Sequence, residues 1–137
     1  MNFHLLPNSI YFLDLKLLSR EFIMYHLNYI MFYNNPEFLH FHIDHVENER
    51  SLLVSDDVID MFIPHFHGNE FQIYKGIHIT NTNPYINESG LVQRISHSFS
   101  NENIPILYIT TYKSNFVLFH SDYLSRVESI IDLKINK

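Results

Sequence analysis

The chain has 137 residues with 46% hydrophobic, 15% aromatic and 18% charged side chains, and a formal net charge of −6. That balance can fill the core of one compact domain, or of two small units, and argues against disorder. The acidic surplus leaves no basic footprint for DNA or RNA, and the absence of cysteine excludes disulfides, thiolate metal sites and cysteine nucleophiles.

Residues 1–18 lack a basic leader region and are broken by Pro7 and Asp14, a poor match to a signal peptide. Ile10 to Leu15 reads as a buried strand. Ser19 is placed to cap a helix with Glu21 in its first turn, and Asn34-Asn35-Pro36 stops that helix near Tyr33. The apolar run Phe22 to Tyr33 is too short for a bilayer span of roughly 20 residues. It is apolar on every side, so it needs cover on every side, which points to a partner or a second copy there. Together these readings give the expectation of a cytoplasmic protein without a membrane segment.

Leu39, Phe41 and Ile43 alternate with His40 and His42, the period of a half-buried strand. Glu47 to Arg50 reads as a polar turn, Ser51 to Val54 as a strand, and Ser55-Asp56-Asp57 as a helix start. Glu70 to Thr80 is a further strand. A polar loop, Asn81 to Gly90, leads into a helix marked by Leu91, Ile95 and Phe99. Ile104 to Thr110 and Phe116 to Phe119 read as strands around a turn, and Ser121-Asp122 opens a last helix. No strand is expected after Leu133.

The two halves correspond. Ser55-Asp56 and Ser121-Asp122 each follow an apolar strand, 122 − 56 = 66 residues apart. Each half therefore reads as most of a βαββαβ unit. The expected fold is α/β (α+β), two ferredoxin-like units packed side by side, residues 1–68 and 69–137, with residues 2–6 available to complete the second sheet.

Chemical motifs are sparse. There is no glycine-rich phosphate loop, no G-x-S-x-G elbow and no H-E-x-x-H pair. Asp56, Asp57 and Asp60 could be read as paired carboxylates, but Asp56 and Asp57 also suit a helix N-terminus. His40, His42, Asp44 and His45, with His65 and His67, offer a weakly specified metal set. The chain is expected to bind rather than to catalyse, without a cofactor.

The stretch from Ile104 to Leu124 resembles the strand–turn–strand–helix segment of ACT domains. More narrowly, Thr111, Tyr112, Phe116, Leu118, Asp122 and Leu124 match the pattern of the CASTOR family of cytosolic arginine sensors in the target-of-rapamycin pathway. The first residues, from Met1 to Leu6, resemble that family's opening strand. The resemblance spans nearly all of this chain but half of a four-unit CASTOR-like protein. It implies two ACT-type units that bind an amino acid, arginine in that family, at an interface between units.

Carried over by position, the implied ligand site is Asn87, Glu88, Ser89 and Gly90 with Ile104, Pro105 and Ile106. Backbone N–H groups at the helix start would take a carboxylate and Glu88 a cationic amine. The bland alternative is a simple helix cap. The implied partner surface, toward a GATOR-like complex, is Tyr112, Lys113 and Asn115. Two departures stand out: Pro105 replaces the sensors' serine, losing a hydroxyl and an N–H, and Lys113-Ser114-Asn115 lacks the family's aspartate. With one pair of units, an interface site needs a second copy or a second tandem. An adaptor without a ligand and a histidine metal binder are the competing readings.

Overall fold

The structure, a computed structural model, describes residues 2–66, 71–80, 88–131 and 133–135. Its strands are β1 (Asn2–Leu5), β2 (Ile10–Asp14), β3 (Leu39–Asp44), β4 (Glu49–Ser55), β5 (Phe71–Thr80), β6 (Leu107–Thr110), β7 (Asn115–His120) and β8 (Leu133–Ile135). The α-helices are α1 (Arg20–Tyr33), α2 (Glu88–Ser100) and α3 (Leu124–Ile130), with short 3-10 turns at Asp56–Met61, Ile63–His65 and Ser121–Tyr123. The chain is an α+β protein with largely antiparallel strand pairing, and it divides into two compact units, Asn8–Ile73 and Met1–Pro7 with Tyr74–Lys137.

In the Asn8–Ile73 unit, β4 lies between β2 and β3, antiparallel to both. Helix α1 begins where Ser19 Oγ accepts the Phe22 N–H at 3.1 Å, satisfying one of the free donors of a helix start. It ends at Asn34, whose N–H reaches Ile30 O, ahead of Pro36. Ile23, Leu27 and Ile30, at four- and three-residue spacing, face inward and meet Leu13, Leu15, Leu52, Val54 and Phe62. Leu39 and Phe41 pack on that same cluster, so strand alternation puts His40, His42 and Asp44 on the opposite face.

Ser55 does not cap the turn that follows it, against expectation. Its hydroxyl is occupied by Phe38, accepting the N–H at 2.9 Å and donating to the carbonyl at 3.0 Å. The two aspartates act as loop ties: Asp56 accepts the Ser9 N–H and Asp57 the Glu37 N–H. The segment forms 3-10 turns rather than an α-helix, and Pro64, which has no N–H to continue a ladder, sits in the second of them.

In the other unit, β7 pairs with β6 and β5, β5 with β1, and β1 with β8. The pairing of β1 with β8 is parallel, Phe3 opposite Leu133, and β8 is a strand that sequence reading does not place. Leu5, Ile77, Ile79, Val117 and Phe119 form the inner sheet surface. On them rest Leu91, Ile95 and Phe99 of α2 and Val127 of α3. Full burial of each such side chain contributes about 1.5–3 kcal/mol.

Candidate functional site

The residues implied as a ligand site fall at two ends of one helix. Asn87 lies outside the described residues. Glu88, Ser89 and Gly90 form the first turn of α2, three residues earlier than the sequence reading starts it. Ile104 follows the other end, where its N–H returns to Phe99 O at 3.1 Å. Asn103 there adopts a left-handed φ of 56°, the usual way to terminate a helix and satisfy its last carbonyls.

A 13-residue helix is about 20 Å long at 1.5 Å per residue. One small ligand therefore cannot touch both segments within a single unit. Ile104 is buried at 3% exposure and Ile106 packs beside the same core, whereas Pro105 is exposed. The strand expected from Ile104 begins at Leu107, because Ile104 is spent on ending the helix.

The implied partner surface is split in a similar way. Tyr112 is 99% exposed, and Lys113 is exposed beside it at the tip of the β6–β7 hairpin. Thr111 closes that tip by accepting the Ser114 N–H on its hydroxyl. Asn115, by contrast, is 8% exposed and its side-chain oxygen accepts from Thr110 at 3.1 Å. Its amide orders the hairpin and is not displayed.

A second polar cluster lies on the β3–β4 hairpin. Asp44 and Glu49 are directly paired across the strands, and His42 shares their face. The ligating atoms of His42, Asp44 and Glu49 lie within 4.8 Å of one another. Asp44 accepts the Glu47 N–H at 2.7 Å and contacts His42 Nε2 at 2.9 Å. The Glu47 N–H and the His42 contact together hold its carboxyl below the usual value of 3.8. The donor set of one imidazole and two carboxylates suits a borderline divalent cation, yet Asp44 already has partners on both oxygens. Of the histidines weighed from sequence, His42 alone joins this set; His67 lies outside the described residues.

Sequence reading missed Glu49 because it assigned the turn to residues 47–50. The turn occupies 45–48, with Asn48 at a left-handed φ of 52°, and Glu49 belongs to β4. Arg20 and Arg50 add positive charge near by, lining a hollow of about 240 Å³ with Ile43, Asp44, His45 and Asn48.

On the outer face of the second unit's sheet, His78 stacks on Phe116 with ring centroids 4.9 Å apart. His4 lies directly opposite it on β1. Burial, with a smaller contribution from the His4 charge, lowers the His78 pKa below 6.5.

No protein-family model matches the sequence, and no curated protein matches it. Solved structures do. A protein from Agobacterium tumefaciens superposes with a TM-score of 0.66 at 12% identity, covering 99% of this chain and 93% of that one. A Vibrio cholerae protein of unknown function, described as a possible transport protein, gives 0.62 at 9% identity over 94% and 85%. Aspartate kinase from Clostridium acetobutylicum, described as an allosteric enzyme, gives 0.56 at 17% identity, over 94% of this chain and 32% of the kinase. These likenesses establish a shared fold. Among the described residues no helix is long and apolar enough to cross a membrane.

Proposed function

We propose that the chain is a non-enzymatic regulatory protein of ACT type that binds a small amino acid and relays it through protein contacts. The observation that carries this reading is the likeness of nearly the whole chain to about a third of an allosteric aspartate kinase. It agrees with the resemblance of residues 104–124 to ACT segments. The first turn of α2 supplies backbone N–H groups for a ligand carboxylate, and Glu88 is the candidate for its amine. Because Ile104 to Ile106 lie at the far end of α2 in the same unit, a site using both segments draws them from two copies of the chain.

Arginine is the amino acid that the CASTOR resemblance proposes, with a GATOR-like complex as partner, in a cytoplasmic setting. Pro105 weakens the arginine assignment, since no hydroxyl or N–H remains there for the ligand. One observation favours the adaptor reading instead: Ile104 and Ile106 serve the core, while Tyr112 is fully displayed.

A thermal-shift screen against the standard amino acids separates the two. A ligand that binds the native state alone raises stability by mass action, about 2.7 kcal/mol at a hundredfold excess over Kd. A selective rise that Glu88→Ala removes supports the sensor. A flat response to every amino acid sinks ligand sensing by this chain alone and leaves the adaptor.

A further inference from the structure

From Phe22 to Tyr33, helix α1 carries no acidic or basic residue other than His26. Its inner stripe is buried, yet its outer surface is as apolar as a core: Phe32 is 81% exposed, Met31 and Tyr33 77%, Tyr25 67%, Met24 51% and Tyr29 43%. Since a Phe or Tyr presents about 150–250 Å², the exposed parts of these six side chains amount to roughly 800 Å², what one partner contributes to a standard interface. Monomers rarely display apolar patches beyond about 300–600 Å².

We propose that this face is a homodimer interface, in which two copies pack α1 against α1 about a two-fold axis near Asn28. The area is the first reason, because it matches one side of a stable dimer and an isologous contact uses the same patch twice. Charge is the second. An anionic membrane would need several Lys or Arg along the apolar helix, whereas α1 carries one, Arg20, at its first position, and the chain has a net charge of −6. A strongly charged protein partner would likewise find no complement among these residues.

Spacing is the third reason. Tyr25, Asn28, Tyr29 and Phe32 recur at the three- and four-residue intervals of a helix–helix seam. With Tyr33 they bound a hollow of about 420 Å³, large enough to receive an aromatic side chain of the second copy. Asn28 is the one polar residue in that lining. Against its own copy, each amide finds a donor and an acceptor, which fixes register as a seam asparagine does in paired helices. Tyr29 and Tyr33 already pack ring against ring at 4.9 Å, so less side-chain freedom is lost on docking.

The absence of cysteine from the chain makes a direct test available. Full-length protein carrying Asn28→Cys should form a disulfide-linked pair in high yield under mild oxidation, since that bond needs Cα atoms about 4.4–6.8 Å apart. Ser129→Cys, exposed on α3, should not. Sedimentation at micromolar concentration should return twice the 16.4 kDa of one chain, and Tyr25→Glu with Phe32→Glu should halve that mass while leaving the far-ultraviolet dichroism unchanged. A wild-type chain that stays single up to 100 μM overturns the proposal, as does a dimer that survives both glutamates. A single chain that instead sediments with phosphatidylcholine vesicles overturns it in favour of a lipid surface.

Discussion

Ser55 and Phe38 are joined by three hydrogen bonds: Phe38 N–H to Ser55 Oγ, Ser55 Oγ–H to Phe38 O, and Ser55 N–H to Phe38 O. Both residues are buried, Ser55 completely. The hydroxyl thus closes the segment entering β3 onto the end of β4, and it does so where water cannot substitute.

Replacing Ser55 by Ala removes the hydroxyl that bonds both the N–H and the carbonyl of Phe38. The expected loss is about 1–3 kcal/mol, the scale of two buried hydrogen bonds at roughly 0.5–1.5 kcal/mol each. Urea denaturation followed by dichroism measures it, and a change below about 0.3 kcal/mol would mean that the site rearranges or admits water.

Ile104 and Pro105 are neighbours with opposite fates, so substitutions should separate cleanly. Ile104→Ala opens a cavity in the core of its unit and should cost about 2–5 kcal/mol. Pro105→Ser, on an exposed position, should change stability by less than about 0.5 kcal/mol. If the serine also confers a thermal shift with arginine, the proline is what disabled arginine binding.

His78 makes stability depend on mild acid. Its folded pKa lies below 6.5 because burial and His4 disfavour the charged form, so the unfolded chain takes up the proton first. Stability is therefore complete above pH 6.5 and declines as pH falls from there through the folded pKa. Nuclear magnetic resonance titration of the His78 ring should give a midpoint below 6.5 that moves upward in His4→Ala. A midpoint at or above 6.5 would contradict the assignment.

Much of the fold could be read from local pattern, since helix and strand periods are written into neighbouring residues. Ile23, Leu27 and Ile30 mark the inner stripe of α1, and Leu39 and Phe41 mark the inner face of β3, whereas Ile43, on the same side, is left 52% exposed. What pattern cannot carry is pairing at a distance. Nothing near Leu133 announces a partner at Phe3, and three residues of strand leave too short a period to recognise. Site geometry was less legible still. A shift of the β3–β4 turn by two residues hid Glu49 opposite Asp44, and a helix ended by Asn103 took Ile104 into the core. The aromatic surplus of α1 was plain from sequence, but only the fold reveals which side of it is left bare.

The parallel contact of β1 with β8 has a bearing on how the protein is made. Phe3 leaves the ribosome well before Leu133 and meets it after some 130 residues have been added (133 − 3). During that interval the Asn8–Ile73 unit holds all of its own sequence and can fold as it emerges, and β1 can pair with β5 once Thr80 has followed, but its other edge must wait for β8. At about 5–20 residues per second of synthesis, that edge stays open for seconds longer, a span in which chaperones or a second nascent chain can claim it. The charge-free, histidine-bearing segment Asn2–Leu5 is thus the part of the molecule whose fate is decided by timing.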